Sequence, residues 1–421
     1  MEINIGIIGY GVIGEGVVKI IHENSKLIEN RTGIKLNIKK VADLDLKKKR
    51  SVELEEGILT FDANEILENP EIDIVVELIG GYEPARKFIL KALENKKHVV
   101  TANKAVIAKH CKEIFESAEK NNVQLKFEAS VAGCIPIIRS LQQSYASEKI
   151  NSIYGILNGT TNYILTRIRE GMSYEDALKK AQEFGFAERD PSFDVEGKDA
   201  AQKLVILATL VYNTNIKDEV YTEGITHIEK MDMEYSNELG YVIKLLAIAR
   251  FCNNEITLRV HPTMIPKNHQ LSSVNNELNA VYVVGRNLGN VMFYGRGAGQ
   301  LPTATVIVGD IIDIAKNKGK FSFNFFSNTP VKNIDSVKSR YYLRCSVVDK
   351  PGVLAKIAEV LGRNKISLAG VWQKEENKDF VPLVMTTHEA LEKDIRKAID
   401  EINRLDVING KAIVIRIEDF S

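Results

Sequence analysis

Cysteine is scarce in this chain of 421 residues: there are four, far apart, at Cys111, Cys134, Cys252 and Cys345. None of them forms a CxxC pair, and none has a metal-type spacing to any of the seven histidines. This pattern argues against a disulfide framework and against a zinc site.

Net charge is also missing, since 56 lysines and arginines balance 56 aspartates and glutamates. No basic stretch carries interleaved aromatic residues, so nucleic acid is not an expected partner. The N-terminal run MEINIGIIGYGVIGEGV has an acid at its second position and glycines throughout, and no apolar run reaches membrane-spanning length. We expect no membrane association and a cytoplasmic protein.

No repeat of fixed period and no low-complexity tract interrupts the chain, and its length with 44% hydrophobic residues allows two or three domains. Up to about residue 128, short apolar runs alternate with amphipathic stretches, which predicts βαβ units and a parallel, doubly wound sheet. The predicted strands are Ile3–Ile8, Leu36–Val41, Asp73–Leu78, Lys97–Thr101 and Gln124–Phe127, and the predicted helices lie around Val12–His22, Pro84–Glu94 and Lys104–Asn121.

The middle of the chain, from about 129 to 300, mixes helical and strand patterns and predicts an α+β domain. The stretch from about 318 to 339 loses helical periodicity and gains Asn, Ser and Lys, which indicates a linker. The helices predicted for the middle are Ser173–Phe184 and Lys198–Tyr212, and its strands include Ile150–Leu157, Glu255–Pro262 and Ala280–Gly285.

The tail predicts the element order βαββαβ, which is the order of a ferredoxin-like fold. Its first strand is followed by the turn Asp349-Lys-Pro351-Gly352-Val353-Leu354, where Pro351 suits the start of a helix. The predicted strands are Tyr342–Val347, Ile366–Trp372, Val381–His388 and Ala412–Ile417, with a second helix over Glu389–Leu405.

A glycine-rich loop follows the first predicted strand and opens a helix. Gly9 allows a tight turn, Gly11 lets the backbone approach a pyrophosphate, and Gly14 lets the helix pack closely on the strand. This context predicts a Rossmann-type dinucleotide site that also includes Val12 and Ile13. The alternative is a glycine-rich turn that binds nothing.

The identity of the dinucleotide stays open. Asp43, near the end of the second strand, is placed to bind ribose hydroxyls and favours NAD, whereas the basic run from Lys47 to Arg50 is able to neutralise a 2′-phosphate. A charge run is more often a solvated face than a ligand site. We lean slightly toward NADP being usable beside NAD.

Two further strands end in residues that are expected to face the ligand crevice, because ligands bind outside the carboxyl ends of parallel strands. The first ending contains Gly80 and Gly81, and the second contains Thr101, Asn103 and Lys104. Lys104 is a candidate electrophile as well as a cofactor contact. The alternative is an ordinary lysine in the first turn of a helix.

The segment GFAERDPSFDVEGKDAAQKL, residues 185–204, places five acids ahead of one lysine in particular, Lys203. Asp199 and Lys203 stand at i and i+4 of a predicted helix and share a face. A lysine kept charged by a carboxylate is able to donate a proton to a substrate oxygen, and nearby carboxylates are able to hold an ammonium group. The alternative is an exposed ion pair of little consequence.

These motifs occur together and in one order, and the chain up to about residue 320 resembles homoserine dehydrogenase. Members of that family interconvert L-aspartate 4-semialdehyde and L-homoserine with NAD(P)H, on the route to threonine, methionine and isoleucine. The tail resembles an ACT domain through its DxPGVL turn. The motifs that carry the first resemblance are the loop at 9–16, Glu77–Gly81, Thr101–Lys104, Glu128–Pro136, Asn158–Asn162, the acid-rich segment and Gly295–Thr303.

The resemblance implies a domain organisation. Residues 1–130 would form the NAD(P)-binding domain, completed by about 298–320, and residues 131–297 the catalytic and dimerisation domain. Residues 321–339 would be a linker and 340–421 the ACT domain. A homodimer or homotetramer is expected.

The resemblance also implies roles for individual residues. Lys203, Asp199 and Lys104 match the catalytic positions, and Gly299 lies in a segment that returns to the cofactor, although that segment also suits an ordinary capped helix start. The substrate would be held by Glu188 and Asp194 through its ammonium group, and by Gly159, Thr160 and Phe186. Phe186 departs from the tyrosine often found there, which removes a hydroxyl.

A monovalent cation, Na⁺ or K⁺, is implied at the loop containing Glu128, Val131, Gly133 and Ile135. Cys134 replaces a glycine common there and would be strained if its φ were positive.

Elementary chemistry agrees with this assignment. Hydride delivered to an aldehyde carbon leaves negative charge on the oxygen, and an ammonium group aimed at that oxygen stabilises and then protonates it. We expect Lys203 to be the donor and Lys104 its partner.

The tail would bind an amino-acid effector, by analogy threonine, at Asp349, Gly352, Val353 and Leu354, with Asn364 and Gln373 as further candidates. The alternative is a packing and dimerisation module without a ligand. For the whole chain the alternatives are a dehydrogenase for another short amino-acid aldehyde and a non-catalytic amino-acid or redox sensor.

Overall fold

The computed structural model describes residues 1–217, 220–317, 319, 321–323, 325, 329–374 and 379–420. In its N-terminal part, strands and helices alternate as the apolar runs predict. The elements are β1 (Glu2–Ile8), α1 (Val12–Glu23), α2 (Ser25–Thr32), β2 (Lys35–Ala42), β3 (Leu59–Thr60), α3 (Asn64–Leu67), β4 (Ile74–Glu77), α4 (Ala85–Glu94), β5 (His98–Thr101), α5 (Lys104–Lys120) and β6 (Leu125–Lys126).

The middle part contains the two long helices that the sequence predicts and further elements around them. These are α6 (Ile137–Arg139), β7 (Ile150–Ile156), α7 (Gly159–Arg169), α8 (Tyr174–Glu183), α9 (Ser192–Val195), α10 (Lys198–Tyr212), β8 (Tyr221–Thr222), α11 (Lys230–Glu238), β9 (Tyr241–Cys252), β10 (Glu255–Pro266), β11 (Leu278–Gly285), β12 (Gly289–Arg296) and α12 (Gln300–Lys316).

The tail folds in the predicted order, with one additional short strand. Its elements are β13 (Lys338–Val348), α13 (Val353–Arg363), β14 (Leu368–Gln373), β15 (Phe380–Thr387), β16 (Ala390–Leu391), α14 (Glu392–Ile402) and β17 (Ile413–Ile417). The start of the region predicted as a helix forms the two-residue strand β16 instead. It is a strand because its residues pair with Lys338 and Ser339 of β13.

The first sheet has six parallel strands in the order β3-β2-β1-β4-β5-β6, so the predicted doubly wound sheet is confirmed. Helix α12 returns from the far end of the middle part and packs on α1. A Cβ at Gly16 would meet Gln300 Cγ at 2.9 Å and Ala304 Cβ at 3.1 Å, so the glycine permits this close approach. Buried Val17 and Val18 share a core with Ala304 and Ile307.

The second sheet contains eleven strands and runs through both the middle and the tail. Its main path is β12-β11-β7-β9-β10-β17-β13-β15-β14, with β8 on β10 and β16 on β13. The last strand of the tail pairs with β10 in parallel, through Thr263 with Arg416 and Met264 with Ile417. The ACT-like tail is therefore joined to the middle part by backbone hydrogen bonds.

Strand β9 is absent from the sequence prediction, although it is one of the two longest strands. Its apolar run YVIKLLAIARFC is compatible with helix or strand, and periodicity does not separate the two. The informative signal is Asn253-Asn254 between β9 and β10, since both residues have positive φ and close a two-residue hairpin.

Within the described residues, none of the helices combines the length and apolarity needed to cross a bilayer.

Candidate active site

Asp199 is the centre of a cluster that joins the nucleotide-binding and middle parts. It lies in the first turn of α10, only 2% exposed, and Lys203 follows one turn later. Lys203 Nζ donates to Asp199 Oδ2 at 2.7 Å, and Lys104 Nζ, from the first turn of α5, donates to Asp199 Oδ1. Two ammonium groups thus share one buried carboxylate. The pairing of Lys203 with Asp199 and the position of Lys104 beside Lys203 agree with the expectation from the sequence, which did not include the hydrogen bond from Lys104 to Asp199.

Burial sets the electrostatics of this cluster. It would raise the pKa of Asp199, but the adjacent Lys203 and Lys104 outweigh it and hold that pKa well below its usual range. Burial also lowers the pKa of Lys203, and Asp199 only partly offsets this effect. Asp199 is therefore ionised, and Lys203 releases its proton more readily than a lysine in water.

A third group orients Lys203. Its Nζ also donates to the backbone carbonyl of Leu157 at 2.7 Å, so two of its three N–H groups have fixed partners. The side chain is 12% exposed, whereas that of Lys104 is 34% exposed and lies 5.5 Å from the Phe193 ring centroid. Among the described residues, the third N–H of Lys203 has no hydrogen-bond partner.

Asn158 connects the two carboxylates of the site. Its Nδ2 donates to Asp194 Oδ1 at 2.7 Å and to Asp199 Oδ2 at 2.8 Å, while its Oδ1 caps α7 by accepting from the Thr161 backbone N–H at 2.8 Å. Burial and the like charge of Asp199 raise the pKa of Asp194. Asp194 also accepts from Thr160 Oγ1 at 3.2 Å.

Three other residues expected to bind the substrate, Gly159, Thr160 and Phe186, lie close to one another. Thr160 and Gly159 begin α7 beside Asp194, and a Cβ at Gly159 would meet the Glu277 carbonyl oxygen at 2.7 Å. Phe186 is half-buried and packs against Tyr163 with 5.0 Å between ring centroids, and its carbonyl accepts from Thr160 Oγ1.

Glu188 has an exposed side chain. In the described part of the chain, no hydrogen bond or ion pair joins its carboxylate to the Asp194–Asp199 cluster.

The glycine-rich loop has the geometry of a dinucleotide site. Gly9 has φ +105°, and a Cβ at Gly14 would meet the Gly9 carbonyl oxygen at 2.1 Å, so strand and helix approach as closely as expected. Apart from Gly11 and its chain neighbours, no described residue has a heavy atom within 4 Å of where a Cβ at Gly11 would be, and Gly11 begins α1 without a side-chain cap. Val12 and Ile13 follow in the first turn. Open N–H groups at this helix start fit a pyrophosphate.

Asp43 lies beside this loop, where it accepts from the Tyr10 backbone N–H at 2.7 Å and pairs with Arg50 at 3.3 Å. The Arg50 guanidinium is 5% exposed and lies 4.7 Å from the Tyr10 ring centroid, so it holds the loop together. Residues 47–49 of the basic run are exposed.

The ends of β4 and β5 meet, as their position at the carboxyl edge predicts. Thr101 Oγ1 donates to Glu77 Oε2 at 2.6 Å, and Asn103 Nδ2 donates to the Gly81 carbonyl at 2.8 Å. Asn103 also caps α5 by accepting from the Val106 N–H. Asn103 thereby links the Gly80–Gly81 turn to the helix that presents Lys104.

Gly299 begins α12 with φ +132°, and Gln300 Nε2 donates to the Val12 carbonyl at 3.0 Å. This contact brings the end of the middle part back to the glycine-rich loop.

The loop at 128–135 is tightly turned. Positive φ falls on Ala132 and Gly133 and not on Cys134, so the condition under which that cysteine would be strained is not met. Both Glu128 oxygens accept backbone N–H groups, from Ile138 at 2.6 Å and Arg139 at 2.7 Å. In this conformation Glu128 anchors the following helix. Of the candidate cation ligands in the loop, the Ile135 carbonyl also accepts from the Ile137 N–H at 2.8 Å.

The candidate effector residues lie at the start of α13. Gly352 has φ +91°, Leu354 is exposed, and Gln373 Nε2 donates to Asp349 Oδ1 at 3.1 Å. Val353 is buried. Asn364 caps the opposite end of the same helix, about 16 Å away at the usual rise per residue, and donates to the Val360 carbonyl. The structure therefore groups Gln373, and not Asn364, with Asp349.

Sequence reasoning missed the roles of Asn158, Leu157 and Phe193. Of these three, only Asn158 could have been recognised in the sequence, because Asn before the start of a helix is a preferred N-cap. A backbone carbonyl such as that of Leu157 leaves no trace in residue type.

A parallel sheet with an open glycine-rich loop at its carboxyl edge, next to two lysines on one buried carboxylate, defines an oxidoreductase that uses a nicotinamide dinucleotide. Family models described as "Homoserine dehydrogenase, NAD binding domain", "Homoserine dehydrogenase" and "ACT domain" match residues 9–128, 136–312 and 341–407. The homoserine dehydrogenase of Bacillus subtilis (strain 168) is 40% identical over 425 residues, covering 99% of this chain and 98% of that protein. The chain belongs to the homoserine dehydrogenase family.

Further similar proteins are also named homoserine dehydrogenases. The homoserine dehydrogenase of Helicobacter pylori is 42% identical and covers 99% of both chains. The crystal structure of a homoserine dehydrogenase from Thiobacillus denitrificans has a TM-score of 0.93 at 40% identity, covering 100% of this chain and 99% of that one. A hyperthermophilic archaeal homoserine dehydrogenase mutant in complex with NADPH has a TM-score of 0.64 at 27% identity, covering 75% of this chain and 98% of that one.

These findings confirm the expected family, the fold class, the NAD(P)-binding domain and the ACT domain.

Proposed function

We propose that this protein catalyses the reversible reduction of L-aspartate 4-semialdehyde to L-homoserine in the supply of threonine, methionine and isoleucine. The observation that carries the proposal is the Lys104–Asp199–Lys203 cluster. In it, a lysine of α5 from the nucleotide-binding part and a lysine of α10 bind the same carboxylate of the acid-rich segment.

The bound nicotinamide supplies the hydride, and the chain's residues manage the charge and the proton. Lys203 hydrogen-bonds the carbonyl oxygen of the substrate and protonates the alkoxide as it forms. Asp199 keeps Lys203 oriented and favours its charged form. Lys104 contributes a second positive charge and lowers the tendency of Lys203 to retain its proton.

Asp194 is proposed to hold the substrate ammonium, with Glu188 entering from the exposed loop. Support comes from Asn158 and Thr160, which aim the Asp194 carboxylate, and from its half-buried position next to Asp199. Gly159 and Phe186 complete this end of the pocket. The negative charge there selects a substrate with an ammonium group over a plain aldehyde.

The nucleotide is proposed to lie with its pyrophosphate at Gly9, Gly11, Val12, Ile13 and Gly14. Asp43 would face the ribose, while Gly80, Thr101, Asn103, Lys104 and Gly299 would line the nicotinamide side. NADP is proposed to be usable beside NAD, supported by the exposed lysines at 47–49 and by the NADPH complex of the archaeal relative.

A monovalent cation, Na⁺ or K⁺, is proposed at the carbonyls of Val131, Gly133 and Ile135, with Glu128 as the nearby charge. The tight turn supports this proposal, since a Cβ at Gly133 would meet the Gly297 carbon at 2.4 Å and the loop is held close to the β12–α12 connection.

For the ACT domain we propose threonine as a feedback effector at Asp349, Gly352, Val353 and Leu354. Assembly into a homodimer or homotetramer is proposed because β12 and β14 lie at the edges of the large sheet and carry outward backbone groups. We place the enzyme in the cytoplasm on sequence grounds.

The test is NAD(P)H absorbance with purified protein and L-homoserine, compared with other three- and four-carbon hydroxy amino acids. Homoserine is expected to give the highest kcat/KM. A better rate with another hydroxy amino acid would assign a related dehydrogenase, and no turnover with any of them would favour a sensor.

A further inference from the structure

The end of the ACT domain reaches into the catalytic part of the molecule. Strand β17 lies between β13 of its own domain and β10 of the middle part. Arg416 on this strand is 4% exposed, so its guanidinium is buried at the junction. A buried guanidinium is costly unless it is fully paired.

Arg416 is paired on both sides of the junction. It donates to Glu392 Oε2 of its own domain at 2.9 Å, and across the junction to Glu223 Oε2 at 2.7 Å and Tyr221 Oη at 2.8 Å. Tyr221 Oη in turn donates to Glu223 Oε2 at 2.9 Å. The C-terminal strand thus holds the segment 221–225 through a charge-assisted network.

The same segment supports the turn between Asp194 and Asp199. The Ile225 N–H donates to the Val195 carbonyl at 2.9 Å, and a Cβ at Gly224 would meet that carbonyl oxygen at 2.3 Å. Gly197, which begins α10 with φ +82°, leaves room for Thr222, whose Cγ2 would lie 3.0 Å from a Cβ there. The turn between Asp194 and Asp199 therefore packs directly against residues 222–225.

We propose that Arg416 is a positioning residue for the substrate-binding carboxylates, acting through Glu223 and the segment 221–225 on the Asp194–Asp199 turn. The C-terminal strand of the ACT domain then contributes to substrate affinity in the full-length enzyme. The inference rests on the proposed function for its kinetic consequence, because Asp194 is the group proposed to hold the substrate ammonium.

The experiment compares Arg416→Met with Phe420→Ala in the full-length enzyme. Phe420 belongs to the same C-terminal strand region but docks elsewhere, stacked on His269 with 3.6 Å between ring centroids. Both variants weaken the junction, and only the first removes a partner of Glu223, which keeps its contacts with His227 at 3.3 Å and with Tyr221. Arg416→Met is expected to raise the KM for L-homoserine at least tenfold while the KM for the nucleotide changes less than twofold. Phe420→Ala is expected to change neither KM more than twofold.

Amide hydrogen exchange gives a readout that does not depend on the reaction. A peptide covering residues 192–204 is expected to exchange at least fivefold faster in Arg416→Met than in the wild type, and to be unchanged in Phe420→Ala. If the wild type fails to oxidise homoserine, the proposed function fails, and the exchange comparison still decides the positioning role.

The milder Tyr221→Phe serves if Arg416→Met is insoluble, since it removes only the hydroxyl shared by Arg416 and Glu223. It is expected to raise the homoserine KM about threefold. Unchanged homoserine KM and unchanged exchange in the Arg416 or Tyr221 variant would overturn the proposal. Equal effects of Phe420→Ala would also overturn it, because they would show general loosening of the junction.

Discussion

Lys203 lies one helical turn after Asp199 and donates a 2.7 Å hydrogen bond to its Oδ2, and Asp199 is only 2% exposed. The pair differs from an exposed i,i+4 ion pair, which contributes little to stability. Burial and the charge of Lys104 lower the pKa of Lys203, whereas the Asp199 carboxylate raises it, so this contact opposes the loss of the proton.

Replacing Lys203 by alanine is expected to lower kcat by about 10²- to 10⁴-fold, because the alkoxide loses both its stabilising charge and its proton donor. The measurement is NADPH absorbance with homoserine, together with nucleotide binding by fluorescence, which should be retained. Lys198→Ala is the matched control, since Lys198 is exposed on the same helix and pairs with Glu196. Normal turnover in Lys203→Ala would refute the assigned role.

Asp199→Asn is expected to shift the pH dependence of aldehyde reduction. Reduction requires the charged Lys203, so the rate falls as pH rises through the pKa of Lys203. Asp199 raises that pKa, and its loss therefore moves the fall to lower pH. Rate profiles over pH for the wild type, Asp199→Asn and the exposed control Asp190→Asn test this. A profile unchanged in Asp199→Asn would show that Lys203 does not titrate in the reaction.

Asn158→Ala is expected to raise the KM for homoserine roughly 5- to 30-fold, because two carboxylates lose a shared donor and each hydrogen bond is worth about 1 kcal/mol. The variant also loses a helix cap, at a cost of about 1 kcal/mol. Ser173→Ala removes a comparable cap from α8, outside the site, where Ser173 accepts from the Asp176 N–H. A KM rise of the same size in Ser173→Ala would mean that the effect is one of stability alone.

Burial raises the pKa of Glu128 to about 7, which predicts a stability change with pH. A carboxyl group whose pKa is higher in the folded state favours folding less as pH rises from about 4.5 to 7, because the unfolded chain ionises first. The expected loss is at most roughly 3 kcal/mol. Melting temperatures between pH 5 and 8 should fall more steeply for the wild type than for Glu128→Gln.

Melting temperatures of the wild type and of Glu128→Gln also test the proposed cation. At pH 8, KCl should raise the wild-type Tm relative to tetramethylammonium chloride at equal ionic strength, and the rise should be smaller in Glu128→Gln. Equal Tm values in the two salts would remove the cation from the proposal.

Asp349→Ala is expected to raise, by at least tenfold, the threonine concentration that gives the half-maximal effect on the rate. The reason is that the candidate effector turn loses its carboxylate. Initial rates over a threonine series measure this. Lys356→Ala, on the exposed side of the same helix where Lys356 pairs with Asp406, is the control and should respond as the wild type does. A tail deletion is a poor substitute, since β17 is hydrogen-bonded to β10.

Local features were predictable from the sequence because their causes are local. Gly9 and Gly14 need no information beyond the strand and helix that flank them, and the i,i+4 spacing places Asp199 and Lys203 on one face. Helix α10 begins and ends at the predicted residues, Lys198 and Tyr212. The βαββαβ order of the tail follows in the same way from alternating patterns and turn residues.

Contacts between distant segments were not predictable. Lys104 and Asp199 are 95 residues apart, and Glu223 and Arg416 are 193 apart. Asn158 could be recognised as a helix cap, but its second task of joining Asp194 to Asp199 exists only once α7 and α9 meet.

The sequence by itself determined the family, the dinucleotide loop and the residue types of the chemistry, since propensity, turn conformation and helical spacing act over a few residues. Only the tertiary structure decided that two lysines share one carboxylate and that the last strand of the ACT domain pairs with β10 of the middle part. The physical reason is that a buried charge is tolerable only beside its partners, and the chain brings those partners together only when its separate elements pack.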